Sequence, residues 1–162
     1  MAHPETIVGH IHLTVSDLER ALGFYRDLLG FEVSARYGDS AVFLSAGGYH
    51  HHIGLNTWAG PGATPPPSGH TGMYHVAFLY PSRHELALVL QKLLVARYPI
   101  DGSADHGVSE AVYLRDPDGN GIELYVDRPR SEWKVANDGM VEMVTAPLDL
   151  GSILAELDTL KL

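Results

Sequence analysis

The sequence predicts an α+β fold: two tandem βαβββ modules forming a metal-lined cup, followed by a short C-terminal helix. Three observations lead there. The order of strand, capping motif, amphipathic helix and three further strands occurs twice along the chain. Corresponding residues keep a nearly constant offset, 65 residues from His10 to His75 and 66 from Ser16 to Ser82 and from Glu19 to Glu85, as an internal duplication requires. The 162 residues, 45% of them hydrophobic, suffice for one core of ordinary size or for two small halves that share one.

The elements follow in order. In residues 7–15, IVGHIHLTV, strand alternation puts His10, His12 and Thr14 on one face and Ile11, Leu13 and Val15 on the other. Ser16-Asp17-Leu18-Glu19 has the form of a capping box, and Leu18, Ala21, Leu22, Tyr25, Leu28 and Leu29 recur at helical spacing until Gly30. Residues 31–37 and 41–46 are expected as two strands, and 49–57 as a fourth. Module one therefore spans 7–57. The Pro- and Gly-rich stretch 58–72 is a linker, too broken for helix or central strand. Module two, 73–127, opens with a strand carrying His75 and a second capping box, Ser82-Arg83-His84-Glu85, ahead of a helix with Leu86, Val89, Leu90, Leu93 and Leu94. Pro99 is expected to end that helix. An extended piece at 99–103 precedes strands at 108–115 and 121–126, whose connection DPDGNG supplies the Pro and Gly of a tight antiparallel reversal. In the extension 128–162, Leu150, Ile153, Leu154, Leu157 and Leu160 give one stripe of a helix that seals the core edge or contacts a second copy.

Composition excludes several classes of function. A net charge of −9 argues against a nucleic-acid partner and gives no attraction to an anionic membrane. No apolar run is long enough to span a bilayer, and the N-terminus lacks the build of a secretory signal, so the expected location is cytoplasmic. Cysteine is absent, which rules out disulfides and thiolate chemistry. No phosphate-binding glycine loop or nucleophile elbow is present. Histidine is abundant, at ten.

Glu123 sits among apolar neighbours in GIELYVD, where an unpaired buried carboxylate would be costly. It is either solvated or held by a cation. Setting Gly48 against Gly119 matches GGYHHHIG to DGNGIELY and places His52 opposite Glu123. His10 and His75 then occupy the two first strands, His52 and Glu123 the two last, and all four point inward if the modules face each other. Two imidazoles and a carboxylate on separate strands are the facial set that holds a divalent metal with positions left open. Within the HHH run, alternation puts His50 and His52 on one face and His51 in the opposite layer, which favours His52. Tyr125 shares a face with Glu123, and Phe43, Trp58 and Phe78 are further candidates for the cup wall.

The segments GHIHLTVSDLERALGFYRDLLGFEV, MYHVAFLYP and YLRDPDGNGIELY resemble the vicinal oxygen chelate superfamily, which includes glyoxalase I, fosfomycin-resistance enzymes and extradiol dioxygenases. DHGVSEAVYLRDPDGNGIELY, HHIGLN and YHVAFLYP are most similar to a catechol 2,3-dioxygenase domain. The resemblance implies an extradiol ring-cleaving dioxygenase acting on a small aromatic vicinal diol. Its divalent metal would be Fe(II) first, with Mn(II), Zn(II) or Ni(II) as other candidates, bound by His10, His75 and Glu123. His10 is preferred to His12 because the family's ligand lies seven residues before the Asp of the VSDLE motif, here Asp17. It further implies that His52 handles protons near the dioxygen site, that Tyr113 hydrogen-bonds a catecholate oxygen, and that His106, in the HG motif, stands behind them. Two departures stand out. His106 precedes Tyr113 by seven residues rather than the family's usual nine, and the chain carries one module pair where such enzymes commonly carry two. The same superfamily also offers a glyoxalase-type isomerase, lyase or thiol transferase, with His52 as a fourth ligand, and a metal-free ligand-sequestering protein of the bleomycin-resistance kind. A homodimer, each cup closed within one chain, is the expected assembly.

Overall fold

The computed structural model describes residues 1–60 and 62–158, and the chain divides into two compact units, Met1–Thr71 and Gly72–Leu162. In the first unit the order is β1 (Ile11–Thr14), α1 (Leu18–Leu22) running on as a π-helical turn (Gly23–Leu28), β2 (Glu32–Tyr37), β3 (Ala41–Ser45) and β4 (Ile53–Asn56). The sheet order is β1-β4-β3-β2, with β1 parallel to β4 and the other pairs antiparallel. The helix buries Leu18, Ala21, Leu22 and Tyr25, as expected from their spacing, and also Phe24, which was not in the expected stripe, while Leu28 is half-buried. Its cap is Asp17, whose Oδ1 accepts the Arg20 N–H at 2.8 Å, one residue later than the capping box suggests. Ser16 Oγ instead accepts from the Arg20 guanidinium at 2.6 Å. Gly30, at φ 87°, takes the left-handed conformation that stops the helix.

The second unit repeats this plan. It contains β5 (Val76–Leu79), α2 (Arg83–Val95), β6 (Gly102–Asp105), β7 (Ser109–Arg115) and β8 (Gly121–Asp127), then β9 (Ala146–Pro147) and α3 (Leu150–Leu154). The sheet order is β5-β8-β7-β6-β9, with β5 parallel to β8. Ser82 caps α2 by accepting the Glu85 N–H at 3.2 Å. The helix stops at Val95, and Arg97 turns the chain at φ 54°, before Pro99 is reached. In the β7–β8 hairpin, Asp116 Oδ1 accepts the N–H groups of Asp118 at 2.9 Å and Asn120 at 2.8 Å, while Gly119 supplies φ 84°. Ile153 of α3 is fully buried, and Arg83 of α2 donates to the Ser152 carbonyl and hydroxyl, both at 2.9 Å. The extension thus seals the core edge; Leu160 lies outside the described residues. β9, which pairs Ala104 with Pro147 and Asp105 with Ala146, carries no strand signal in the sequence. Among the described residues no helix is long and apolar enough to cross a membrane.

Two expectations need correction. Strands β1, β4 and β5 are shorter than alternation suggests, because the β1–β4 ladder holds only the pairs from Ile11↔Ile53 to Thr14↔Asn56 and the β5–β8 ladder only those from Val76↔Ile122 to Leu79↔Tyr125. His10, His50, His51, His52 and His75 therefore lie just outside strands. The internal superposition also shifts by two residues. With His10 matched to His75, Ile53 corresponds to Ile122, so the counterpart of Glu123 is Gly54 and that of His52 is Gly121. Matching the glycines aligned two loops, whereas strand pairing is what sets register.

Candidate metal centre

The second unit builds most of the site on three adjacent strands. Tyr113 of β7 is directly opposite Glu123 of β8, and β5 runs along the other side of β8 with His75 one residue before its first pair. Glu123 is thus flanked by an imidazole and a phenol. His75 Nε2 lies 2.8 Å from Glu123 Oε2, and the Glu123 side chain is 12% exposed. Gly121 permits this approach: a Cβ there would collide with the Tyr74 carbonyl and stand 3.1 Å from His75 Cβ.

The Tyr113 hydroxyl lies 3.2 Å from Glu123 Oε1 and 2.6 Å from His106 Nε2. Burial first, then the Glu123 charge, pushes the Tyr113 phenol up to about 12, so it stays a hydrogen-bond donor at neutral pH. His106 Nδ1 lies 2.7 Å from the Val144 carbonyl. The shortened HG spacing has not removed His106 from the cluster: from the turn between β6 and β7 its Nε2 still reaches the Tyr113 hydroxyl at 2.6 Å.

In the first unit, the His10 ring lies against that of His51, with centroids 4.4 Å apart, and 6.4 Å from that of His50. His51 also packs on Phe43 at 5.1 Å, and its Nδ1 is 2.7 Å from His50 Nδ1. Desolvation first, then the neighbouring imidazoles of His10, His50, His12 and His52, lowers the His51 pKa and favours its neutral form. His52 is engaged elsewhere: its Nδ1 accepts the Ala46 N–H at 3.2 Å, and its ring faces Tyr49 at 5.0 Å. The expectation that His51 points into the opposite layer is therefore corrected, because alternation does not govern residues ahead of β4. A second imidazole beside His10 is the residue that sequence reasoning missed, and the HHH run was its only signal. His12 packs between Phe43 and Trp58, at 5.8 and 5.3 Å, over Gly54.

The residues fit a divalent ion. Two ligands each roughly 2.1 Å from a metal at right angles stand about 3 Å apart, and the 2.8 Å between His75 Nε2 and Glu123 Oε2 matches that spacing. A neutral imidazole and a carboxylate are suitable donors for Fe, Mn or Zn. Among the described residues, no three His, Asp or Glu side chains converge as a metal-holding group.

Two sheets that each join first and last strands in parallel, one of them presenting an imidazole–carboxylate pair, define the paired βαβββ class. The chain belongs to the Glyoxalase/Bleomycin resistance protein/Dioxygenase superfamily, whose family model matches residues 7–124. It is 42% identical over 155 residues to a catechol-2,3-dioxygenase of Bacillus subtilis, covering 95% of this chain and 53% of the relative. It is 31% identical over 125 residues to biphenyl-2,3-diol 1,2-dioxygenase 3 of Rhodococcus globerulus, covering 74% and 63%. The chain thus spans between half and two thirds of the length of these relatives. A crystal structure of a glyoxalase/dioxygenase from Nostoc punctiforme matches the fold with a TM-score of 0.66 at 21% identity, over 80% of this chain and 97% of that one.

Proposed function

We propose that the chain is an extradiol-type ring-cleaving dioxygenase acting on a catechol-like diol, with Fe(II) as the foremost candidate metal. His75 and Glu123 would hold the ion from the second unit and His10 from the first. The observation that carries this reading is the convergence of His75 and Glu123 at 2.8 Å with the Tyr113 hydroxyl 3.2 Å from the same carboxylate. Names of relatives add support, since both curated matches described above are dioxygenases of aromatic diols.

When bound, the metal would supply a site where the diol oxygens and dioxygen are held side by side and charge can pass between them. Every other task falls to side chains. The Tyr113 hydroxyl, 3.2 Å from Glu123 Oε1, is placed to hydrogen-bond a substrate oxygen beside that carboxylate. His106 supports that phenol from behind. On the His10 side, the proton-handling role that the resemblance gives to His52 fits His51 better: its ring touches His10, and its lowered pKa keeps a lone pair available to take a proton.

A glyoxalase-type site with four side-chain ligands fits less well. The first-unit position corresponding to Glu123 is Gly54, which has no donor, and His52 is not at that position. The test is anaerobic loading with iron(II), then air and a panel of catechols. Oxygen uptake with a yellow ring-opened product is expected; absence of both would refute the reading.

A further inference from the structure

We infer that residues 142–147 of the C-terminal extension are a positioning element of the site, in which the Val144 carbonyl fixes the tautomer of His106 and so directs the Tyr113 hydroxyl. This deepens the dioxygenase reading and rests on it for the role of Tyr113.

The inference comes from counting protons. A carbonyl oxygen only accepts, so the 2.7 Å contact between His106 Nδ1 and Val144 O requires the proton on Nδ1. A neutral imidazole then has only a lone pair at Nε2, which faces the Tyr113 hydroxyl at 2.6 Å. Tyr113 has one proton and two neighbours, His106 Nε2 at 2.6 Å and Glu123 Oε1 at 3.2 Å. With Nε2 kept as an acceptor, that proton has an alternative to the carboxylate, and Glu123 can offer both oxygens to a cation. In the opposite tautomer Nε2–H would donate to the phenol, and the phenol's proton would be directed to Glu123. The carbonyl thereby sets the direction of the chain of hydrogen bonds.

The segment is built to hold that carbonyl in place. The Val144 N–H donates back to the His106 carbonyl at 3.1 Å, so residues 106 and 144 are tied twice. Two residues on, Ala146 and Pro147 pair with Asp105 and Ala104 as β9 on β6. On the other side of His106, a Cβ at Gly107 would lie 3.4 Å from Val144 Cγ2. Ser103 Oγ donates to the Leu148 carbonyl at 2.9 Å. None of these contacts involves a proposed metal ligand.

The test uses full-length, metal-free protein with nitrogen-15 in histidine. The His106 signals should show the proton on Nδ1, with a through-hydrogen-bond coupling to the Val144 carbonyl carbon. A proton on Nε2, or no coupling in a spectrum where other such couplings are seen, would overturn the inference. Val144→Pro deletes the return N–H bond, and is expected to shift His106 towards the Nε2–H tautomer that a free imidazole prefers. In the iron-loaded enzyme it should lower kcat about tenfold while KM changes less than about twofold. A folded Val144→Pro protein that keeps the wild-type tautomer would also overturn it. The tautomer and coupling are read without metal or substrate, so failure of oxygen uptake in the wild type would count against the dioxygenase reading and leave this result standing.

Discussion

Asp105, next to His106, shows how a single carboxylate ties the site to its support. It takes the Arg128 guanidinium at 2.6 and 3.1 Å and the Gly107 N–H at 2.8 Å. Arg128 first, and the Gly107 N–H next, holds its carboxyl below the usual range. A depressed carboxylate pKa contributes stability that is present above the unfolded value, roughly 4, and is lost as pH falls through the folded value. Asp105→Asn should therefore cost about 1 kcal/mol at pH 7, a figure reduced for partial exposure. The difference from wild type should shrink as pH is lowered through 4 and below. Urea unfolding at several pH values checks this, and a pH-independent difference would contradict the assignment. At this scale the antiparallel β7–β8 hairpin was legible in the sequence, and the observed ladder adds that Tyr113 stands opposite Glu123. It was not legible at His51, because alternation holds only inside a ladder and the ladder begins at Ile53.

Among the elements, the parallel pairs β1–β4 and β5–β8 decide what reaches the site, and a glycine controls the spacing of each. A Cβ at Gly54 would first meet the His12 ring, at 2.9 Å, and a side chain can rotate away. A Cβ at Gly121 would meet the Tyr74 backbone carbonyl, which can move only if β5 moves. Gly121→Ala is expected to cost about 2 kcal/mol or more, of the order seen for overpacking, and to weaken metal binding by shifting His75 from Glu123. Gly54→Ala should cost clearly less. Calorimetric melting with an iron titration compares the two, and equal effects would show that the backbone clash is not decisive. A second control is Glu110 of β7, whose side chain is 8% exposed and joins Arg83 of α2 to Arg128 after β8. Truncating one partner of a buried ion pair costs about 3–5 kcal/mol when the other charge is stranded. Here Arg83 keeps Glu156 at 2.9 Å and Arg128 keeps Asp105, so Glu110→Ala should cost nearer 2 kcal/mol, and the urea midpoint measures it. The second capping box located the start of α2, and the first was one residue early for α1, which Asp17 caps; β9 was invisible because two residues ending in proline carry no strand pattern.

At the scale of the molecule, the proposed ligands are encoded in both halves of the duplication, His75 and Glu123 in one and His10 in the other. In the parallel ladders the offset of His10 and His75 persists, whereas that of the last strands shifts by two residues. A metal shared across the duplication makes unit-crossing predictions that a one-unit site would not. His10→Ala and His75→Ala should each reduce bound iron from one equivalent per chain to below about a tenth, as expected when one of three protein ligands is lost. His12→Ala, which removes a ring packed on Phe43 and Trp58, should keep the metal. Iron is to be measured after gel filtration, with melting of the metal-free forms as the control for folding. If His10→Ala retains a full equivalent while His75→Ala loses it, the ion belongs to the second unit alone and the third ligand must be sought near Tyr113 and His106. If both retain it, the His75–Glu123 pair is an ordinary hydrogen bond and the metal reading fails with it.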